Sequence, residues 1–245
     1  EILELRYRLG YIAQTHVGDV ERAVDAYRSI LEAEPTHANA MAALEGLFNQ
    51  GVKALEIGEF LEPLYRMQEQ WDKLLFLNEH LLHFERDPSE RIELMHDAAS
   101  IAEERLLASD RAALWMQRAL LEDPTNEGTL DEVERLAALN DGWLQLASTY
   151  ADALLVEAPA EDRVELGKRL ARVYEDQLGD VERAEETLRY VVGLSGGDEE
   201  CLGALDRIYV EHGAHDALVD GLLDRFGPAE RDQVVAQKIA VGASG

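Results

Sequence analysis

A single cysteine, Cys201, among 245 residues leaves the chain without internal disulfides or any multi-cysteine metal site. Proline is scarce at six, and most of the prolines separate stretches of helical pattern. Runs of Val, Ile and Thr in period-two alternation are missing, which removes the signature of half-buried strands. No apolar run approaches the length that spans a bilayer, and the opening Glu1-Ile2-Leu3-Glu4 has no basic segment leading into an apolar one. Basic residues are also few: 23 Lys and Arg stand against 50 Asp and Glu, a formal charge of −27. That surface repels phosphate backbones and anionic lipid, so nucleic acid and membranes are set aside as partners. Solubility or adaptation to high salt is the simpler account of the charge, and a basic partner is the sharper one. The missing signals make the cytoplasm the default compartment.

Phosphate chemistry finds no loop to serve it. Gly193 and Ser195-Gly196-Gly197 lack a following Lys-Ser/Thr and a preceding strand. No Gly-x-Ser-x-Gly elbow is present. Paired carboxylates such as Glu103-Glu104 and Asp198-Glu199-Glu200 are so common here that they select nothing; they start helices or coat solvated faces. Cys201 sits in an apolar helical stretch and reads as a small buried hydrophobe. No cofactor and no catalysis are expected.

What the chain does have is Ala, Leu, Glu and Arg, with 47% apolar residues, a composition that predicts helices throughout. It also repeats itself. Gly18-Asp19-Val20-Glu21-Arg22-Ala23 recurs letter for letter as Gly179-Asp180-Val181-Glu182-Arg183-Ala184, 161 residues on. A third copy lies between them at offsets of 89 and then 72 residues, so that Ala23 meets Ala112 and Ala184. In the same frame Ile12 meets Ile101 and Val173, and Leu44 meets Val133 and Leu205. Leu47 meets Leu136 and Ile208, and Trp71 meets Trp143 at the 72-residue offset. The first spacing is longer by 17 residues, enough for one added helix near 51–67, which Pro63 kinks or whose neighbour it caps.

The expected organisation is one continuous solenoid. It holds repeat unit 1 at 1–88 with the added helix, unit 2 at 89–159, unit 3 at 160–227 and the start of a fourth at 228–245. Helices are predicted over 2–16, 19–33, 37–48, 51–67 and 70–86. They continue over 89–107, 110–122, 126–139, 141–157, 160–178, 180–194, 198–212 and 214–226. Gly18-Asp19 and Gly179-Asp180 each pair a helix-ending glycine with an N-capping aspartate, and Asp123-Pro124-Thr125-Asn126 and Asn140-Asp141-Gly142 offer further turns. Leu5, Leu9 and Ile12 form an apolar stripe, as do Leu166, Leu170 and Val173. Hairpins this short cannot bury such stripes alone and must stack. Pro88, Pro159 and Pro228 each open a unit, and the last unit is cut short, which suggests an excised piece of a longer array.

These residues resemble the tetratricopeptide repeat family. Leu9-Gly10, Ala23, Tyr27 and Pro35 follow its pattern of small residue, alanine, aromatic and proline, with one extra residue in the turn. Leu170-Ala171, Tyr174 and Ala184 fit too, with Leu188 in place of the aromatic and Gly196 in place of the proline. The middle copy keeps Ala98, Ala112 and Pro124, with Met116 at the aromatic position. The hairpins ending in the Trp71 and Trp143 helices match poorly, so the resemblance covers about half the chain. It implies a right-handed superhelical array of helical hairpins whose concave groove is lined by first helices and holds a protein or peptide partner. HEAT-type repeats are the structural alternative. Groove positions would be Tyr7, Tyr11 and Gln14, then His96, Ser100 and Glu103, then Lys168, Arg172 and Glu175.

Two rival readings stand beside the groove: architectural spacer units in a longer protein, and a helical metal-binding or enzymatic domain using His80, His83 and His96. Trp71 and Trp143, at equivalent positions, are expected in the core rather than as partner anchors. Glu79-His80-Leu81-Leu82-His83 and Glu211-His212-Gly213-Ala214-His215 carry the only metal-like spacing, with His96 a third candidate beside His80 and His83. Neither segment has the His-Glu-x-x-His order of zinc proteases, and they fall at different places in the repeat.

Overall fold

A computed structural model describes residues 1–211, and all regular structure among them is helical. The chain divides into two compact units, Glu1–Glu122 and Asp123 onward. The first holds α1 (Ile2–Ile12), α2 (Val20–Ala33), α3 (Ala38–Asn49), α4 (Ala54–Met67), α5 (Trp71–Leu81), α6 (Pro88–Ser100) and α7 (Ser109–Glu122). The second holds α8 (Glu127–Asn140), α9 (Trp143–Ala153), α10 (Ala160–Arg172), α11 (Val181–Ser195) and α12 (Glu199–Glu211). A helix therefore stands within a few residues of each predicted position. The helices expected beyond residue 212, with His212 and His215, lie outside the described residues.

Repeated hairpins follow from one steric arrangement. Within α1–α2, α6–α7 and α10–α11 the first helix packs on the second, and a small residue of the first allows close approach. A Cβ built on Gly10 would lie 2.8 Å from the ring of Tyr27. The counterparts of Gly10 are Ala99 and Ala171, both buried. Those of Tyr27 are Met116 and Leu188, also buried. The smallest residue thus accompanies the largest partner, so the summed volume of the layer changes little between copies. Ala23, Ala112 and Ala184 have no exposed surface, and Leu44, Val133, Leu205, Leu47, Leu136 and Ile208 are all buried.

The extra residue in the turn is taken up inside the helix. Each first helix ends in a π-helical turn, at Ala13–Val17, Ile101–Arg105 and Val173–Gln177, the usual consequence of a one-residue insertion into an α-helix. The amides of Asp19, Ala108 and Asp180 then bond back to the carbonyls of Ala13, Ala102 and Tyr174 at 2.9, 2.9 and 2.8 Å. These six positions are repeat equivalents. Gly18 and Gly179 sit there with φ of +76° and +63°, and Asp19 and Asp180 cap the next helix through the amides of Arg22 and Arg183. The middle copy places Leu107 at φ +51° in the glycine position, 86% exposed.

The added helix has a definite relation to its neighbours. His37 caps α3 as Asn126 caps α8, each accepting an amide three residues on. At the other end, Glu69 and Asp141 are both left-handed, and Gln70 and Gly142 bond back to Tyr65 and Ala137. Thus α8 begins as α3 begins and ends as α4 ends. Asp141, not Gly142, carries the positive φ, because the aspartate falls one residue past the helix end. Pro63 lies inside α4, between its third and fourth turns.

Two expectations are corrected. Leu5, Leu9 and Ile12 are 60%, 66% and 47% exposed, because no helix of the described residues packs on that side of α1; Leu166, Leu170 and Val173 are buried, with α9 packed on α10. Trp71 and Trp143 are half-buried, each at the first position of a helix where one side faces solvent. The tryptophan of the core is Trp115.

Replacing Leu107 with Gly should raise stability by about 0.5–1 kcal/mol in chemical denaturation, since a left-handed leucine is strained and little apolar surface is lost. Leu at Gly179 should lower it by a similar amount. Gly167→Ala should lower stability by about 1–3 kcal/mol despite better helix propensity. Its Cβ would clash with Cγ2 of buried Val191, and Val191→Ala in the same chain should recover part of the loss.

Candidate groove site

Lys168 and Arg172 lie one helical turn apart on α10, and Glu175 follows on its π turn, so all three share a side of the element. Across from them runs α12, whose first turn is fixed by Asp198: its carboxylate accepts the Cys201 amide at 2.9 Å. Between the two helices lies a groove of about 270 Å³. Its floor is Ala171, Leu188, Cys201 and Ala204, and its walls are charged. Lys168 Nζ is 2.9 Å from both Asp198 and Glu200. Arg172 donates to Glu200 at 2.9 Å, and Arg207 pairs with both carboxylate oxygens of Glu175.

The field of these pairs shifts their members. The Cys201 amide and the Lys168 ammonium hold the Asp198 carboxyl below its ordinary value, and Lys168 and Arg172 do the same for Glu200. Lys168 is raised, since its two carboxylates outweigh its partial burial. Burial and the neighbouring Asp198 push the Cys201 thiol up to about 12, which leaves it inert as a nucleophile at neutral pH.

In the first compact unit the equivalent positions gather aromatics. The rings of Tyr7 and Tyr11 are 6.5 Å apart, Tyr7 lies 5.8 Å from Tyr27 and 6.2 Å from His37, and Tyr11 meets His16 edge-on at 6.4 Å. Gln14 turns toward the hairpin and accepts from the Tyr27 hydroxyl at 2.9 Å. Tyr11 stays half exposed. His96 and Ser100 share a face of α6 one turn apart, with Glu103 on the π turn that follows. Sequence reasoning named the α10 side of the groove and missed Asp198, Glu200 and Arg207 as its opposite wall. Each pairs with a counter-charge among Lys168, Arg172 and Glu175, but in a chain this acidic the sequence does not say which carboxylates stand opposite.

The histidine pair has other work. His80 Nε2 lies 3.1 Å from the Phe48 carbonyl, and its ring packs against Phe48, Phe76 and Phe84. His83 Nδ1 lies 3.0 Å from the Glu79 carbonyl. No group of three or more His, Cys, Asp or Glu residues able to hold a metal occurs among the described residues. Nor is any helix of the described residues long and apolar enough to cross a membrane.

The small-residue contact at Gly10, the buried Ala23, Ala112 and Ala184, and the repeated turn decide the character of the units. The hairpins are tetratricopeptide-like. No family model matches the chain, and no curated protein matches it. Among solved structures it is similar to the crystal structure of MamA, at 12% identity over 95% of this chain and 97% of that one, with a TM-score of 0.37. It is also similar to a tetratricopeptide repeat protein from Parabacteroides merdae, at 16% identity over 99% of this chain and 87% of that one, TM-score 0.30. A third is a chain in the structure of Naa15/Naa10 bound to HypK-THB, at 16% identity over 98% of this chain and 39% of that one, TM-score 0.37. These are loose likenesses.

The wall of the α10–α12 groove sets a pH dependence. Because Asp198 and Glu200 have lowered values in the fold, their contribution is complete at neutral pH and is lost as pH falls below about 4 through those values. Denaturation midpoints between pH 7 and 3 should show that loss, and Asp198→Asn should flatten the profile.

Proposed function

We propose that the chain is a non-catalytic scaffold that holds a peptide or a partner's helix along first-helix grooves such as α10–α12. The observation that carries this reading is the meeting of Lys168, Arg172 and Glu175 with a second charged wall over an apolar floor. Apolar side chains of a ligand would fill the space above Ala171 and Ala204, while its charges exchange partners with the exposed ends of Arg172, Glu200 and Arg207. The Tyr7–Tyr11 cluster would supply stacking surface in the first unit. Excess negative charge over the whole chain favours a basic partner and speeds encounter.

A spacer role draws on the same ion pairs. Lys168, Arg172 and Arg207 are each satisfied within the chain, as struts between helices would be. Gly203 separates the two readings. It lines the groove, and a Cβ built on it meets nothing within 4 Å. Gly203→Trp should therefore fold normally and fill the groove. Selection from a displayed peptide library should give salt-sensitive binders that lose affinity about tenfold or more to this variant and to Tyr7/Tyr11/Arg172→Ala. Binders indifferent to both variants, or none, would favour the spacer.

A further inference from the structure

The side of α1 that carries Leu5, Leu9 and Ile12 matches a covered face elsewhere in the chain almost residue for residue. At its repeat equivalent on α10 stand Leu166, Leu170 and Val173, with Arg169 at the position of Arg8 and Glu165 at that of Glu4. Those three apolar residues are buried where α9 packs on α10. Arg169 reaches past them to Asp131 and Glu134 on α8, at 3.1 Å each. Glu134 in turn accepts from the hydroxyl of Tyr150 on α9, at 2.8 Å. The middle copy uses the same two registers. Ala98 and Ile101 are buried with α5 packed on α6, and Asp97, at the position of Arg8, pairs with Arg66 on α4 and Asn78 on α5.

On α1 both registers stand open. Leu5 and Leu9 are more than half exposed, and among the described residues the carboxylate paired with Arg8 is Glu4 one turn back, both side chains mostly in solvent. An ion pair of that kind contributes little and yields easily to a better partner. The stripe lies about 200° around the helix from Tyr7 and Tyr11, two residues on, so it is separate from the groove positions.

We propose that this face of α1 is a docking surface for a helical hairpin of the α8–α9 kind. The occupant presents an apolar ridge to Leu5, Leu9 and Ile12 and a carboxylate pair to Arg8. Both covered copies within the chain define the apolar ridge and a polar contact at the position of Arg8, and the α10 copy, which like α1 carries an arginine there, defines the carboxylates. A ridge-only helix would leave Arg8 without the partners that Arg169 has, which is why a hairpin with carboxylates on its first helix is the specified occupant.

The test is a chimera in which residues 123–161 are placed directly before Glu1 of the full chain. Asp162 is the repeat counterpart of Glu1, so the natural spacing is kept. Hydrogen exchange of the α1 amides should slow by about tenfold or more relative to the parent chain, because the added hairpin closes over them. Leu5→Asp with Leu9→Asp should abolish the slowing; both sites are exposed in the parent, so its fold should survive. Arg8→Glu should reduce the slowing through repulsion of Asp131 and Glu134 in the added hairpin. Unchanged exchange in the chimera would overturn the proposal. So would sedimentation of the parent chain showing a dimer that depends on Leu5 and Leu9, since the face would then belong to a second copy.

Discussion

How closely two neighbouring helices approach governs much else in this molecule. Where Gly10 meets Tyr27, or Gly167 meets Val191, the backbone of one helix lies against a side chain of the next with no room for a methyl group. Such contact fixes the relative height of the two helices, and height fixes which residues face outward along the first helix. Helix geometry puts Lys168, Arg172 and Glu175 on one side of their element, and packing on the opposite side leaves that side facing outward. A core of this density transmits a misfit instead of absorbing it. The turn chemistry obeys the same constraint, since the π turn and its left-handed residue must return the chain at the height the contact demands.

Scarcity shapes the electrostatics. With about half as many cations as anions, the chain spends several arginines as cross-helix ties: Arg66 to Asp97, Arg91 to Glu122, Arg118 to Glu79, Arg169 to Glu134, Arg207 to Glu175. Arg91 and Arg118 hold their carboxylates with two nitrogens, which gives direction as well as charge. The remaining negative charge lies over surfaces that no internal cation neutralises. Exposed pairs of this type do little for stability singly. Their value here is in register, because an arginine that reaches a carboxylate two helices away discriminates between adjacent packings.

The elements were legible in the sequence because the signals were local and repeated. Gly18-Asp19 and Gly179-Asp180 announce a helix end and a cap, and the structure uses them so. The small residues Gly10 and Ala171 were legible for the same reason, whereas in the middle copy the sequence reading named Ala98 and the counterpart of Gly10 is its neighbour Ala99. The left-handed Leu107 was not, since leucine carries no such signal and only its place in the repeat reveals the constraint. Periodicity also misled at Leu5, Leu9 and Ile12, because an apolar stripe states that a surface wants cover and is silent about whether cover is at hand. The groove was half legible. Residues on one helix could be carried across the copies by counting, whereas Asp198, Glu200 and Arg207 depend on which helix stands opposite. Trp71 and Trp143 show a related failure: equal place in the repeat brought similar burial, but at the rim of the helix pair and not in the core.

The relation of α3, α4 and α8 bears on how such a chain can change length. One helix in one copy corresponds to two in another, with the starting cap matched to the first and the closing turn matched to the second. A duplication with both breakpoints inside helices would produce this result while leaving every junction intact. Selection would then see an extra rod of familiar surface, with no new corner to be solved. Length variation among arrays of this type is thus cheapest in steps of a helix plus its turn, with breakpoints in helix interiors.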